Sequence, residues 1–135
     1  MVMRPGLLDT STLILLARAD PDALPDIPSI SAVTLAELSV GPLIARSEEE
    51  RAARQAHLQL AESDFDPIPF DAAAARAFAR VAQSFRDAGR KPSARAFDAL
   101  IAATAISREL PLHTCNPADF AGIPALDVRP VPVSA

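Results

Sequence analysis

The stretch Leu7-Leu8-Asp9-Thr10-Ser11-Thr12 constrains the fold most, because an apolar pair too short for a helix runs straight into a carboxylate and three hydroxyls. A short apolar run of this kind reads as a buried strand, and Ser or Thr beyond it starts a helix. Gly6-Leu7-Leu8 is therefore the first strand, followed by a helix near Thr12 to Ala19 that Ser11 can cap. The handover recurs along the chain. Ser29 to Val33 is β-compatible and Thr34 starts a second helix, which Gly41-Pro42 interrupts before Ser47 to Glu62 resumes it. Asp66 to Phe70 is a third strand, edge-like because of its two prolines, and Asp71 caps a helix with the apolar stripe Ala74, Phe78, Val81, Ala82 and Phe85. After the basic loop Gly89 to Ser93, Ser93 caps a helix over Ala94 to Arg108, rich in small apolar residues. Leu112-His113-Thr114 and Leu126 to Val131 supply a fourth and a fifth strand. Strands alternating with helices give an α/β fold with a mainly parallel sheet.

At 135 residues the chain is expected to form one domain, residues 1–135, with enough apolar content to bury a core. Cys115 is the only cysteine, so an internal disulfide and a thiolate zinc site are excluded. The apolar run Leu13 to Ala17 is far too short to span a bilayer, and no signal peptide is evident, so a soluble cytoplasmic protein with no membrane contact is expected. A net charge of −4 argues against a general nucleic-acid coat, but the charge is unevenly spread. Residues 72–97 carry Arg76, Arg80, Arg86, Arg90, Lys91 and Arg95 against the single acid Asp87, a local +5 that leaves −9 elsewhere. A basic ridge beside an acidic cluster suits a polyanion; a solvated helix face is the plainer alternative.

Open parallel sheets bind ligands beyond the carboxyl ends of their strands, and three acids fall at helix starts on that edge. Each has an ordinary alternative role. Asp9 can cap its helix, although Ser11 is equally placed to do so. Thr34-Leu35-Ala36-Glu37 matches a capping box, the better reading of Glu37 from its own segment. Asp98 lies inside Ala96-Phe97-Asp98-Ala99-Leu100-Ile101-Ala102-Ala103, where an unpaired carboxylate is costly, so it must be paired, coordinated or protonated. Arg95 and Arg108 are its ordinary partners. Asn116 and Asp119, in the turn after the fourth strand, can reach the same edge, although Asp119 can also bond nearby turn amides. Acids gathered there would hold a hard divalent cation, which suits phosphodiester chemistry. His57 and His113 stand alone and receive no role. No G-x-x-x-x-G-K loop, G-x-G-x-x-G or G-x-S-x-G elbow exists.

Taken together, Leu7-Leu8-Asp9-Thr10-Ser11, the run Ile30 to Leu38, the run Phe97 to Ala105 and the run Leu110 to Phe120 resemble the PIN-domain ribonucleases, and most of all the VapC toxins of bacterial toxin–antitoxin pairs. The segments occur in the family's order and span nearly the whole chain. The resemblance implies a three-layer α/β/α domain with a short sheet of about five strands. It implies a metal-dependent endoribonuclease using Mg2+, with Mn2+ as the alternative, held by Asp9, Glu37 and Asp98. Under it Glu37 rises above its capping-box role, and Asn116 or Asp119 supplies the fourth catalytic position. A homodimer and a cognate antitoxin are also implied, the latter laying an apolar helix in a groove. The Gly41-Pro42 arm is a candidate surface for these contacts.

The reaction expected is hydrolysis of RNA by metal-activated water. Thr10, Ser11 and Thr114 are candidate donors to phosphate or to the acids, and Arg76, Arg80, Arg90, Lys91 and Arg95 are candidate backbone contacts. The competing class is a phospho-acceptor or regulatory binding domain with an acidic pocket at the same edge, as in response-regulator receivers. Lys91 counts against it, since it stands in a loop before a helix rather than after a strand. A third class is an inactive nuclease fold kept as a binding module.

Overall fold

A computed structural model describes residues 2–91 and 95–135. Successive strand side chains point to opposite faces of a sheet, and in β1 (Pro5–Leu8) the fully buried Leu7 and Leu8 enter two different cores. β1 is central in a sheet of order β2 (Ile27–Ser29), β1, β3 (Leu112–Thr114), β4 (Val128–Pro130), with every pair parallel. Register places Leu7 opposite Ser29 and Leu112, and Leu112 opposite Val128.

On the Leu7 face lie α4 (Ala72–Asp87) and α5 (Ala96–Ser107), packed through Ala77, Val81 and Phe85 against Ala99, Ala102, Ala103 and Ala105. Alanines let the two helices approach closely, and Phe85 and Phe120 supply the bulk; burying such a side chain stabilises by about 1.5–3 kcal/mol. On the Leu8 face, Leu13 of α1 (Thr10–Ile14), Leu38 of α2 (Ala32–Val40) and Ala61 of α3 (Glu48–Asp64) join Ile30. Helices thus cover both faces, giving the three layers that a parallel sheet requires. Among the described residues no helix is long and apolar enough to cross a membrane.

Among the described residues four strands form rather than five. In the segment 66–70 only Ile68 pairs, through its amide to the Ile30 carbonyl (2.9 Å) and its carbonyl from the Ala32 amide (2.8 Å). Pro67 and Pro69 on either side have no amide hydrogen to extend the ladder. The second strand ends at Ser29, earlier than its composition suggested, because Ser31 turns the chain by accepting the Thr34 amide (3.1 Å). The first helix likewise begins at Thr10 and ends at Ile14, with a 3-10 turn over Leu16–Arg18 in place of its expected continuation. Ser47 and Asp71 cap α3 and α4 by accepting the amides of Glu50 and Ala74. The expected cap Ser93 lies outside the described residues.

Candidate active site

At the carboxyl edge of the sheet, β1 runs directly into Asp9 and β3 ends in Thr114, and the two side chains meet. Asp9 follows β1 directly and is the N-cap of α1, accepting the Thr12 amide at 3.0 Å. Ser11, expected as the cap, instead donates its hydroxyl to both Asp9 oxygens at 3.2 Å. Thr12 Oγ1 donates to Oδ1 at 2.5 Å, and Thr114 Oγ1, at the end of β3, donates to Oδ2 at 2.6 Å. Both threonine oxygens are themselves oriented by backbone amides, Thr12 by Cys115 (3.1 Å) and Thr114 by Asn116 (2.9 Å). Asp9 is only 5% exposed, so its orientation is fixed by neighbours rather than by water.

Glu37 does not close a capping box. With Ser31 as the cap, Glu37 lies in the second turn of α2, and its Oε1 accepts the Thr10 hydroxyl at 2.7 Å. Since Thr10 has one hydroxyl proton, its 3.0 Å contact with Thr34 is donated by Thr34. Burial pushes the Glu37 carboxyl above its ordinary value; the Thr10 bond opposes this, while Asp98 and Asp9 reinforce it.

Asp98 occupies the first turn of α5, where Arg95 pairs with it at 3.5 Å. The other candidate, Arg108, pairs with Asp71 at the far end of the helix. Burial raises the Asp98 carboxyl, Asp119 adds to the rise, and Arg95 opposes it. Asp119 lies in the 3-10 turn Pro117–Phe120 and accepts from Arg95 at 2.7 Å. The Asn116 side-chain amide donates to Ser11 Oγ at 3.1 Å.

Asp9, Thr10, Ser11, Ile14, Glu37, Asp98, Asn116 and Asp119 line one cavity of about 260 Å3. A larger cleft of about 500 Å3 surrounds His113, but its arginines, Arg4 and Arg129, already pair with Asp26 and Asp127. His113 has a packing role: its ring lies where a side chain on Gly6 would have to go, and its Nδ1 bonds the Ala23 carbonyl oxygen.

The basic residues divide. Arg95 reaches the acids. Arg90 stacks over Phe85 and donates to the carbonyls of Ala118 and Asp119, so it braces the turn that carries Asp119. Arg76 and Arg80 line a separate groove with Ile106, Ser107 and Glu109, at the opposite end of α5 from Asp98. Lys91 is exposed. Thr12 and Thr34, not among the expected site residues, carry hydroxyl contacts to Asp9 and Thr10; each stands three places after a cap residue.

The donor set is all oxygen, which suits Mg2+ or Mn2+ and excludes a soft metal. Two of its carboxylates are kept above their ordinary values by burial and mutual repulsion, a cost that a bound cation would remove. Among the described residues no three His, Cys, Asp or Glu side chains form a ready-made ligand group. The acids fit a hard cation in kind.

The PIN domain profile matches residues 7–125. Ribonuclease VapC5 of Mycobacterium tuberculosis is 40% identical over 121 residues, 87% of each chain. Ribonuclease VapC8 of the same organism is 41% identical over 103 residues, 74% of this chain and 89% of the relative. The crystal structure of VapBC-5, a member of the VapBC family of toxin–antitoxin systems from M. tuberculosis, matches with a TM-score of 0.80 at 38% identity, covering 93% of this chain and 98% of that one.

Proposed function

The chain belongs to the PIN-domain family, and from that premise we propose that it is the endoribonuclease toxin of a toxin–antitoxin pair, cleaving RNA with a divalent cation held by Asp9, Glu37 and Asp98. Asp119 is the fourth acid, and Asn116 a neutral neighbour at the cavity mouth. One observation carries the reading: four acids from separate segments line one cavity at the carboxyl edge of a parallel sheet. The relatives named as ribonucleases and the VapBC complex support RNA as substrate and an antitoxin as partner.

When bound, the cation supplies Lewis acidity toward the phosphate and makes water a better nucleophile. The chain supplies the rest. Thr12 and Thr114 hold the Asp9 carboxylate in one orientation, and the Thr34–Thr10 hydroxyl chain does the same for Glu37. Asp119, outside the proposed ligand set, lines the same cavity and is placed to orient the attacking water. The Asn116 amide, at the cavity lining, carries a second hydrogen beyond the one it gives Ser11 Oγ and can donate it to a phosphate oxygen. Around the turn Gly41–Ile44, Leu43 is 80% and Ile44 65% exposed, which suits this turn to covering by a second copy or by the antitoxin.

The receiver-like alternative is not favoured, because the relatives are ribonucleases and Lys91 is exposed in a loop. The test is incubation of purified protein with single-stranded RNA and Mg2+. Cleavage is expected from the wild type and not from Asp98→Asn; equal cleavage by both, in a nuclease-free preparation, refutes the assignment.

A further inference from the structure

We propose that Arg95 is an exchangeable counter-cation of the acidic cavity, one that bridges Asp98 and Asp119 in the metal-free protein and gives both up when a divalent cation binds. The inference rests on the metal reading of that cavity and adds a competitor built into the same chain.

The two acids come from different elements, Asp98 from the first turn of α5 and Asp119 from the turn after β3. A single guanidinium nitrogen, Nη1, spans them, at 3.5 Å from Asp98 Oδ2 and 2.7 Å from Asp119 Oδ1. Neither Asp9 nor Glu37 has a basic partner among the described residues. Four carboxylates and one guanidinium leave the cavity at −3, and a divalent ion in place of Arg95 lowers this to −2, so the ion neutralises more of the charge. Cation and guanidinium both draw on Asp98 and repel each other, so binding of one opposes binding of the other.

Release of Arg95 is cheap. Its side chain is 43% exposed, so the ion pairs are partly screened and the freed guanidinium passes into water without a burial penalty. It lies on the helix boundary as the N-cap of α5, and its side chain makes no capping bond that would be lost on moving. Arg90, by contrast, is tied to two backbone carbonyls and to Phe85 and stays with the turn. Asp98 and Asp119 are thereby held by Arg95 alone among basic side chains of the described residues.

The experiment is Mn2+ binding to the full-length protein, read by water-proton relaxation, for wild type, Arg95→Gln, Arg95→Lys and Asp98→Asn. Removing the competitor should tighten Mn2+ binding roughly three- to tenfold in Arg95→Gln. Arg95→Lys keeps the charge but on a more strongly hydrated ammonium that holds carboxylates less well, and should fall between that variant and the wild type. In the wild type, Mg2+ titration should also shift the Arg95 Nε resonance toward that of a free arginine. Unchanged or weaker Mn2+ binding by Arg95→Gln, or an Arg95 resonance indifferent to Mg2+, overturns the proposal while leaving the metal site intact, provided Asp98→Asn loses Mn2+. Failure of both wild type and Arg95→Gln to bind Mn2+ overturns the proposal together with the reading of the cavity.

Discussion

Thr114 Oγ1 donates to Asp9 Oδ2 at 2.6 Å, joining residues 105 positions apart across the neighbouring strands β1 and β3. The bond connects fold to site. β1 and β3 must lie side by side for the hydroxyl to reach, and the carboxylate it orients is the first residue beyond the sheet.

Thr114→Val keeps the β-branched shape and deletes the donor. Ribonuclease activity should fall about 10–100-fold, the usual cost of losing a group that orients a metal ligand. Thr114→Ser should retain most of it. Equal activity in the Val variant would show that Asp9 needs no such support.

Asp9→Asn and Asp98→Asn should differ in stability although both lose activity. Every bond at the Asp9 carboxylate is donated to it, by Thr12 N, Thr12 Oγ1, Thr114 Oγ1 and Ser11 Oγ. An amide nitrogen there must face a donor, at a cost of about 1–3 kcal/mol. Among the described residues Asp98 has only the half-exposed Arg95 as partner, so its amide variant should unfold within about 0.5 kcal/mol of the wild type. Urea unfolding of both variants checks the contrast, and equal midpoints would contradict it.

Glu37 gives a pH dependence with a definite sign. Its carboxyl is raised in the folded state, so its contribution to stability is present below the unfolded value and is lost as pH rises through the folded one. At neutral pH in EDTA the ionised group therefore destabilises the metal-free fold. Glu37→Gln, which can still accept the Thr10 hydroxyl, should raise Tm by roughly 1–3 °C at pH 7, and the gain should fade as pH drops through the carboxylate range. A lower Tm for the variant at pH 7 by scanning calorimetry would reverse the sign.

Chelation should stop RNA cleavage, with Mg2+ or Mn2+ restoring it. Binding should lose strength on the acid side sooner than for ordinary carboxylates, since Glu37 and Asp98 both take up protons above their usual range. Activity persisting in EDTA would point to a metal-independent ribonuclease.

The layering was legible from Leu7 and Leu8, the α4 stripe through Val81 and Phe85, and the cap Asp71, because each depends on residues close in sequence. The acids were legible as polar interruptions of apolar runs. Their local roles were not. Ser31 and Thr34 both fit a cap, and choosing Ser31, which moves Glu37 to the second turn, depends on where β2 ends. Asp9 and Ser11 compete in the same way, and the choice depends on Thr114 arriving from β3. The reach of the basic ridge also depends on tertiary structure. Arg76, Arg80 and Arg95 share one charge run, but α4 and α5 carry the first two to the end of α5 away from Asp98.

The most direct test is anomalous diffraction from crystals of the protein soaked in Mn2+. The account predicts a peak bound by carboxylate oxygens of both Asp9 and Asp98, with the Arg95 guanidinium displaced from Asp98. A well-ordered cavity with no peak, or Mn2+ bound only elsewhere, would contradict it.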